Sequence, residues 1–174
     1  YKIPFSSRSI DYTEKEINLI VEVIKNANPL TMGSNLDKFE KKFKHYSNTK
    51  YAFAVNTATS ALELTAQLIN FKKNDEIIIP THTYTSSCYP FIKAGAKVVW
   101  ADIDLETRVI SDKSVEENIS SRTKAILVPH LYGYFKDLTN LLELIKGKNI
   151  YLIEDAAQAI GSQRNGKLAG TMGD

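Results

Sequence analysis

Tyr151-Leu152-Ile153-Glu154-Asp155-Ala156-Ala157-Gln158-Ala159 is the stretch on which the reading of the chain turns. An apolar strand runs straight into two acids, and small residues follow. In an open parallel sheet, ligands gather beyond the carboxyl ends of the strands. At least one of these carboxylates then stands at that edge, where burial is costly unless a cation answers it. No Lys or Arg lies close by in sequence. Two readings stay open: the partner is a protonated nitrogen of a ligand, or Asp155 caps a helix.

Working outward, the same kind of short apolar run recurs between helical patterns. Strands are expected at Tyr51–Val55, Glu76–Ile79, Lys97–Ala101, Ala125–Val128 and Ile150–Ile153. Helices are expected near Thr59–Ile69, Thr85–Ala94, Val115–Ile119 and Leu138–Ile145, with Gly147 as a helix stop. Alternation of this kind, with strands apolar throughout, predicts an α/β fold: a mostly parallel sheet covered on both faces, hence a three-layer sandwich. Ahead of it lie two further helices. Thr13-x-x-Glu16 reads as a capping box before Ile17, Ile20, Val21 and Ile24, and Leu36, Phe39, Phe43 and Tyr46 share one face of the second.

The other strand ends are then the places to look for chemistry. Asn56-Thr57-Ala58-Thr59-Ser60 opens a helix with small and hydroxyl residues. Such an end favours an anion through its free amides and dipole, and a plain cap by Thr57 or Thr59 reads the same residues equally well. Pro80-Thr81-His82-Thr83-Tyr84 places an aromatic ring that either stacks on a flat ligand or packs as core. Asp102 and Asp104 pair two acids, which suggests metal or acid–base chemistry, but with no third ligand in sight they read as turn and cap residues. His130 precedes Gly133, which permits a turn.

Composition narrows the classes. The chain has 174 residues, 43% hydrophobic and 24% charged, as a globular domain or part of one has. Its net charge of +2 is scattered rather than blocked, which argues against nucleic acid as a partner. A single cysteine, Cys88, can form no internal disulfide and suits a reducing cytoplasm. No apolar run approaches a membrane span, and Tyr1–Ser9 lacks the layout of a signal peptide. The absence of a starting Met and the ending at Gly173-Asp174 suggest a segment of a longer protein.

Taken in order, these pieces resemble the nucleotide-sugar aminotransferases, the DegT–StrS group of fold-type I enzymes that use pyridoxal 5′-phosphate (PLP). Gly33…Phe39-Glu40 is similar to an early family element, and Asn56 to Leu62 resembles its Asn-Ser-Gly-Thr-x-Ala-Leu phosphate loop. Asn74-Asp75-Glu76-Ile77-Ile78, Pro80 to Tyr84, Gly95-Ala96, Asp102-Ile103-Asp104, Arg122 to Ile126 and His130 to Gly133 follow in family order. Glu154 to Ala159, with Gly161, Gly166, Gly170 and Gly173-Asp174 behind it, is the most specific match. Ala58 and Asn74 depart from the pattern, each standing where the family has glycine.

The resemblance implies roles. Asp155 would keep the pyridine nitrogen protonated, Gln158 would bond the phenolic oxygen, and Tyr84 would stack on the ring. Thr57, Ala58 and Thr59 would hold the phosphate. It implies an N-terminal helical segment over 1–50 and an incomplete PLP-binding large domain over 51–174. The Schiff-base lysine of the family would lie beyond Asp174, so the segment alone should be inactive. The whole enzyme would be a cytoplasmic homodimer moving an amine from an amino acid, glutamate by expectation, to a nucleotide-linked keto-sugar for cell-surface polysaccharide or deoxyamino-sugar synthesis. A PLP-dependent sugar dehydratase of the same family is the alternative, and a non-catalytic binding or regulatory protein on this fold is another.

Overall fold

Residues 11–29 and 31–174 are described by the computed structural model, so Tyr1–Ser9, read above for a leader, lie outside it. Four strands, β1 (Glu76–Pro80), β2 (Lys97–Ala101), β3 (Thr123–Pro129) and β4 (Tyr151–Asp155), form one sheet in the order β2-β1-β3-β4. Every pairing in it is parallel, from Glu76 against Lys97 to Pro129 against Asp155. In the central strands β1 and β3 the continuous apolar runs are explained by burial on both faces: all five residues of β1 are buried.

Alternate side chains of the strands feed two separate cores. Ile77, Ile79, Ala125, Leu127 and Ile153 pack with Leu62 and Ala66 of α3 (Ala58–Ile69) and Phe91 of α4 (Tyr89–Lys93). Ile78, Ile126, Val128 and Leu152 face the other way, onto Val115 of α5 (Asp112–Asn118) and Leu141 and Ile145 of α6 (Thr139–Ile145). This is the expected α/β layering, helices on both sides of a parallel sheet.

Two expectations need correction. Tyr51–Val55 forms no strand. The amide of Ala54 donates to Glu40 Oε1 at 2.8 Å, so a side chain takes the place of a ladder partner. Tyr51 and Phe53 stack with centroids 6.3 Å apart, and Phe53 is 80% exposed. The single helix expected over Thr85–Ala94 is two pieces, a 3-10 turn (Thr85–Ser87) and then α4. Pro90, with no amide hydrogen to give, marks the restart.

The capping box at Thr13 and Glu16 is present and opens an α-helix, α1 (Glu14–Asn26). The second, α2 (Ser34–Ser47), carries an aromatic row in which Phe39, Phe43 and Tyr46 follow one another about 6 Å apart (6.1 and 6.2 Å). A short antiparallel hairpin of β5 (Gln163–Arg164) and β6 (Lys167–Leu168) turns at Asn165-Gly166, both with positive φ. Asn-Gly between short strands is the sequence signal for that turn.

Below the sheet, at the end away from the strand tips, Glu76 is buried with its side chain 3% exposed. It accepts from Ser120 Oγ at 2.6 Å and from Arg122 at 2.8 Å. The Ser120 hydroxyl, with Arg122 and Lys97, holds this carboxyl below the usual range against the cost of burial.

Candidate functional site

The carboxyl ends of β1, β3 and β4 and the start of α3 enclose a cleft of about 230 Å³. Ala58, Thr59, Tyr84, Asp155 and Gln158, all singled out from sequence, line it. They come from three loops far apart in the chain, and the sheet's register brings them to one edge. Thr57 does not line it. Its hydroxyl accepts from Ser60 N at 3.1 Å, capping α3. Thr59 instead ties the loops together, donating to Ser86 Oγ at 3.0 Å.

The backbone at Ala58 settles the departure from glycine there. Ala58 begins a regular helix and has no positive φ, so a Cβ is tolerated. Asn74 does stand at φ 74°, in the left-handed region that asparagine enters more readily than most residues.

The two acids at the tip of β4 diverge. Glu154, its side chain 4% exposed, is fully partnered by the protein. Its Oε2 accepts from His130 Nε2 at 2.7 Å and Gly170 N at 2.9 Å. Its Oε1 accepts from Met172 N at 2.6 Å and Gly173 N at 2.7 Å. Burial pushes this carboxyl up, but His130 and the three amides outweigh it and hold it below the usual range. His130 is itself buried, and the amide of Lys136 donates to its Nδ1 at 3.2 Å. With Nδ1 accepting, Nε2 is the nitrogen that donates, directed at Glu154. His130 lines the cleft yet has both nitrogens engaged.

Asp155 is different. Ser87 Oγ donates to its Oδ2 at 2.7 Å, and the amide of Ala157 to its Oδ1 at 3.2 Å. Among the described residues, no Lys, Arg or His pairs with it. Each oxygen keeps a lone pair for a further donor. The sequence singled out the acidic pair; the structure separates a carboxylate that holds the chain from one that faces the cleft.

Gln158 is oriented by the backbone. The amide of Tyr132 donates to its Oε1 at 2.7 Å, so the side-chain NH2 is the end left to offer. Tyr132 reaches that position at φ 57° with its ring 81% exposed, and Gly133 follows at φ 81°. Tyr84, 67% exposed, stands at the cleft with an open ring face. Among the described residues no lysine lines the cleft, and Lys167 is exposed on the hairpin.

The arrangement suits a flat, anionic heteroaromatic. It offers a helix start for an anion, an aromatic face, an amide donor and a carboxylate without a cation. Asp102 and Asp104 serve turns: Asp104 Oδ1 accepts from the amides of Glu106 and Thr107 at 3.1 and 2.8 Å. Among the described residues no group of His, Cys, Asp and Glu could hold a metal ion. Nor is any described helix long and apolar enough to cross a membrane.

The sequence profile of the DegT/DnrJ/EryC1/StrS aminotransferase family matches residues 11–174. The chain is 37% identical over 93% of its length to GDP-perosamine synthase of Escherichia coli O157:H7, covering 44% of that protein. It is 37% identical over 92% of its length to dTDP-3-amino-3,6-dideoxy-alpha-D-galactopyranose transaminase of Aneurinibacillus thermoaerophilus, again covering 44%. Among solved structures, the E. coli GDP-4-keto-6-deoxy-D-mannose-3-dehydratase with bound hydrated PLP superposes with a TM-score of 0.88 at 31% identity. That likeness covers 98% of this chain and 44% of the dehydratase. The chain thus spans less than half the length of the relatives it matches.

Proposed function

Because the chain belongs to the DegT/DnrJ/EryC1/StrS aminotransferase family, we propose that it forms the cofactor-binding part of a nucleotide-sugar aminotransferase. The cofactor is PLP, which when bound supplies an electron sink for moving an amino group between two carbon skeletons. The observation that carries this reading is the Asp155 carboxylate, set at the strand tip in a cleft with no cationic partner among the described residues. A protonated ring nitrogen answers that charge, and the carboxylate in turn keeps the proton on the nitrogen.

The remaining residues divide the binding work. The amides that open α3 at Ala58 and Thr59 receive the phosphate, and Thr57 holds that helix end in shape. Tyr84 covers one ring face. Gln158, with its carbonyl oxygen held by Tyr132, presents its NH2 to the ring's phenolic oxygen. The substrates are an amino acid, glutamate by expectation, and a keto-sugar carried on a nucleoside diphosphate, the product serving polysaccharide or deoxyamino-sugar synthesis. We place the Schiff-base lysine beyond Asp174, so that residues 51–174 bind cofactor without turning over alone. The full protein acts in the cytoplasm as a homodimer; Ile20 and Ile24 of α1 and Phe39 of α2, each more than half exposed (53%, 70% and 56%), offer apolar surface for a second subunit to cover.

A dehydratase is the second reading, favoured by the likeness to the E. coli 3-dehydratase. Both readings need the same cofactor cleft. The test common to them is Asp155→Ala in the full-length protein, which abolishes turnover while circular dichroism stays unchanged. Near-normal turnover in that variant overturns the assignment, and the product, amino-sugar or deoxy-keto-sugar, separates the two readings.

A further inference from the structure

Ser87 is a polar residue with only 1% of its surface exposed, placed by the 3-10 turn that follows Tyr84. Buried serines usually satisfy themselves locally, as Ser47 does by donating to the carbonyl of Phe43 at 2.8 Å. Ser87 instead donates across the fold to Asp155 Oδ2 at 2.7 Å. Behind it, Thr83 Oγ1 donates to Ser87 Oγ at 2.9 Å. A hydroxyl has one hydrogen, so the direction is fixed: Thr83 to Ser87 to the carboxylate. The same turn carries Tyr84, whose carbonyl accepts from Ser87 N at 2.9 Å.

We propose that Ser87, backed by Thr83, is a positioning residue for Asp155, holding its carboxylate in one orientation for a cationic ring nitrogen. The inference rests on the reading of Asp155 given above. It extends it by making the β1 loop responsible for two features of the cleft at once, the aromatic face and the aim of the acid. The bond is short and charge-assisted, whereas the only other donor to the Asp155 side chain among the described residues, the amide of Ala157, is at 3.2 Å. Without Ser87 the carboxylate keeps only the longer bond from Ala157 N among these donors, and a partly buried oxygen loses its partner.

The test is a double-mutant cycle on the full-length protein, read as affinity for pyridoxamine 5′-phosphate. That ligand carries the ring nitrogen and phosphate but no aldehyde, so no imine with a lysine sets its affinity. Ser87→Ala is expected to weaken binding about tenfold, the usual worth of one hydrogen bond to a charged group. Ser87→Thr, which keeps the hydroxyl, stays within about twofold of wild type by the same measure, and Thr83→Val gives a loss between the two. In an Asp155→Asn background, Ser87→Ala costs less than about twofold, because the charge it serves is gone. Equal losses in both backgrounds, for Ser87→Ala or for Thr83→Val should the former fold poorly, overturn the positioning role. If Asp155→Asn alone leaves affinity unchanged, the reading of Asp155 fails instead, and the two failures are distinct.

Discussion

Replacing Glu154 by Gln tests whether the acid beside the cleft acts as a clamp on the chain. The change is nearly isosteric, so packing is preserved and only charge and acceptor count alter. In the native protein each oxygen takes two donors, His130 Nε2 and Gly170 N on one, Met172 N and Gly173 N on the other. An amide accepts at one end only. Its NH2 must then face either His130 and Gly170 or Met172 and Gly173, leaving two buried donors opposed. At about 1–3 kcal/mol for each buried group left unsatisfied, two such groups cost roughly 2–6 kcal/mol.

The same clamp has a pH signature. Glu154 is held below its ordinary range in the folded protein, so its contribution is complete above the unfolded carboxylate value, about 4.3. It is lost as pH falls through the lower folded value. Urea unfolding of wild type and Glu154→Gln should therefore differ by a constant amount from neutral pH to about 5, and converge in stronger acid. A difference under about 0.5 kcal/mol at neutral pH, or one that grows on acidification, refutes the clamp.

Two backbone predictions can be checked with the same unfolding assay. A Cβ at Gly173 would collide with the carbonyl oxygen of Leu152, so Gly173→Ala should destabilise by more than about 2 kcal/mol and loosen the segment that Glu154 holds. Asn74 stands at φ 74°, so Asn74→Ala should cost about 1 kcal/mol while Asn74→Gly stays near neutral; equal effects would show that the turn imposes no left-handed requirement.

What could be read from sequence was whatever depended on local pattern. Apolar runs bounded by turns gave β1 to β4, and in the central strands β1 and β3 burial on both faces leaves no alternation to misread. The Thr13–Glu16 box gave the start of α1, because its partners lie three residues apart. Tyr51–Val55 misled because β-propensity reports side-chain fit to a sheet and not the presence of a neighbour, and here Glu40 supplies the partner for Ala54. The Asn165-Gly166 hairpin was missed although its signal stood in the sequence, since its strands are two residues long.

The division of labour between Glu154 and Asp155 was beyond sequence for a different reason. Adjacent strand residues point to opposite sides, so one acid must leave the other's environment, but which one finds donors depends on loops from elsewhere. His130 arrives from the end of β3, and Gly170 to Gly173 arrive after the hairpin, converging on Glu154. Ser87 arrives from the β1 loop, 68 residues from Asp155. The consequence is that the cleft-facing acid is set by neighbours on both sides. Asp155 O accepts from His130 N at 2.9 Å, joining the tips of β3 and β4, while its side chain is held by the turn that bears Tyr84. Three strand tips that sequence reads as separate weak motifs are thus one hydrogen-bonded unit, with a single carboxylate left for the ligand.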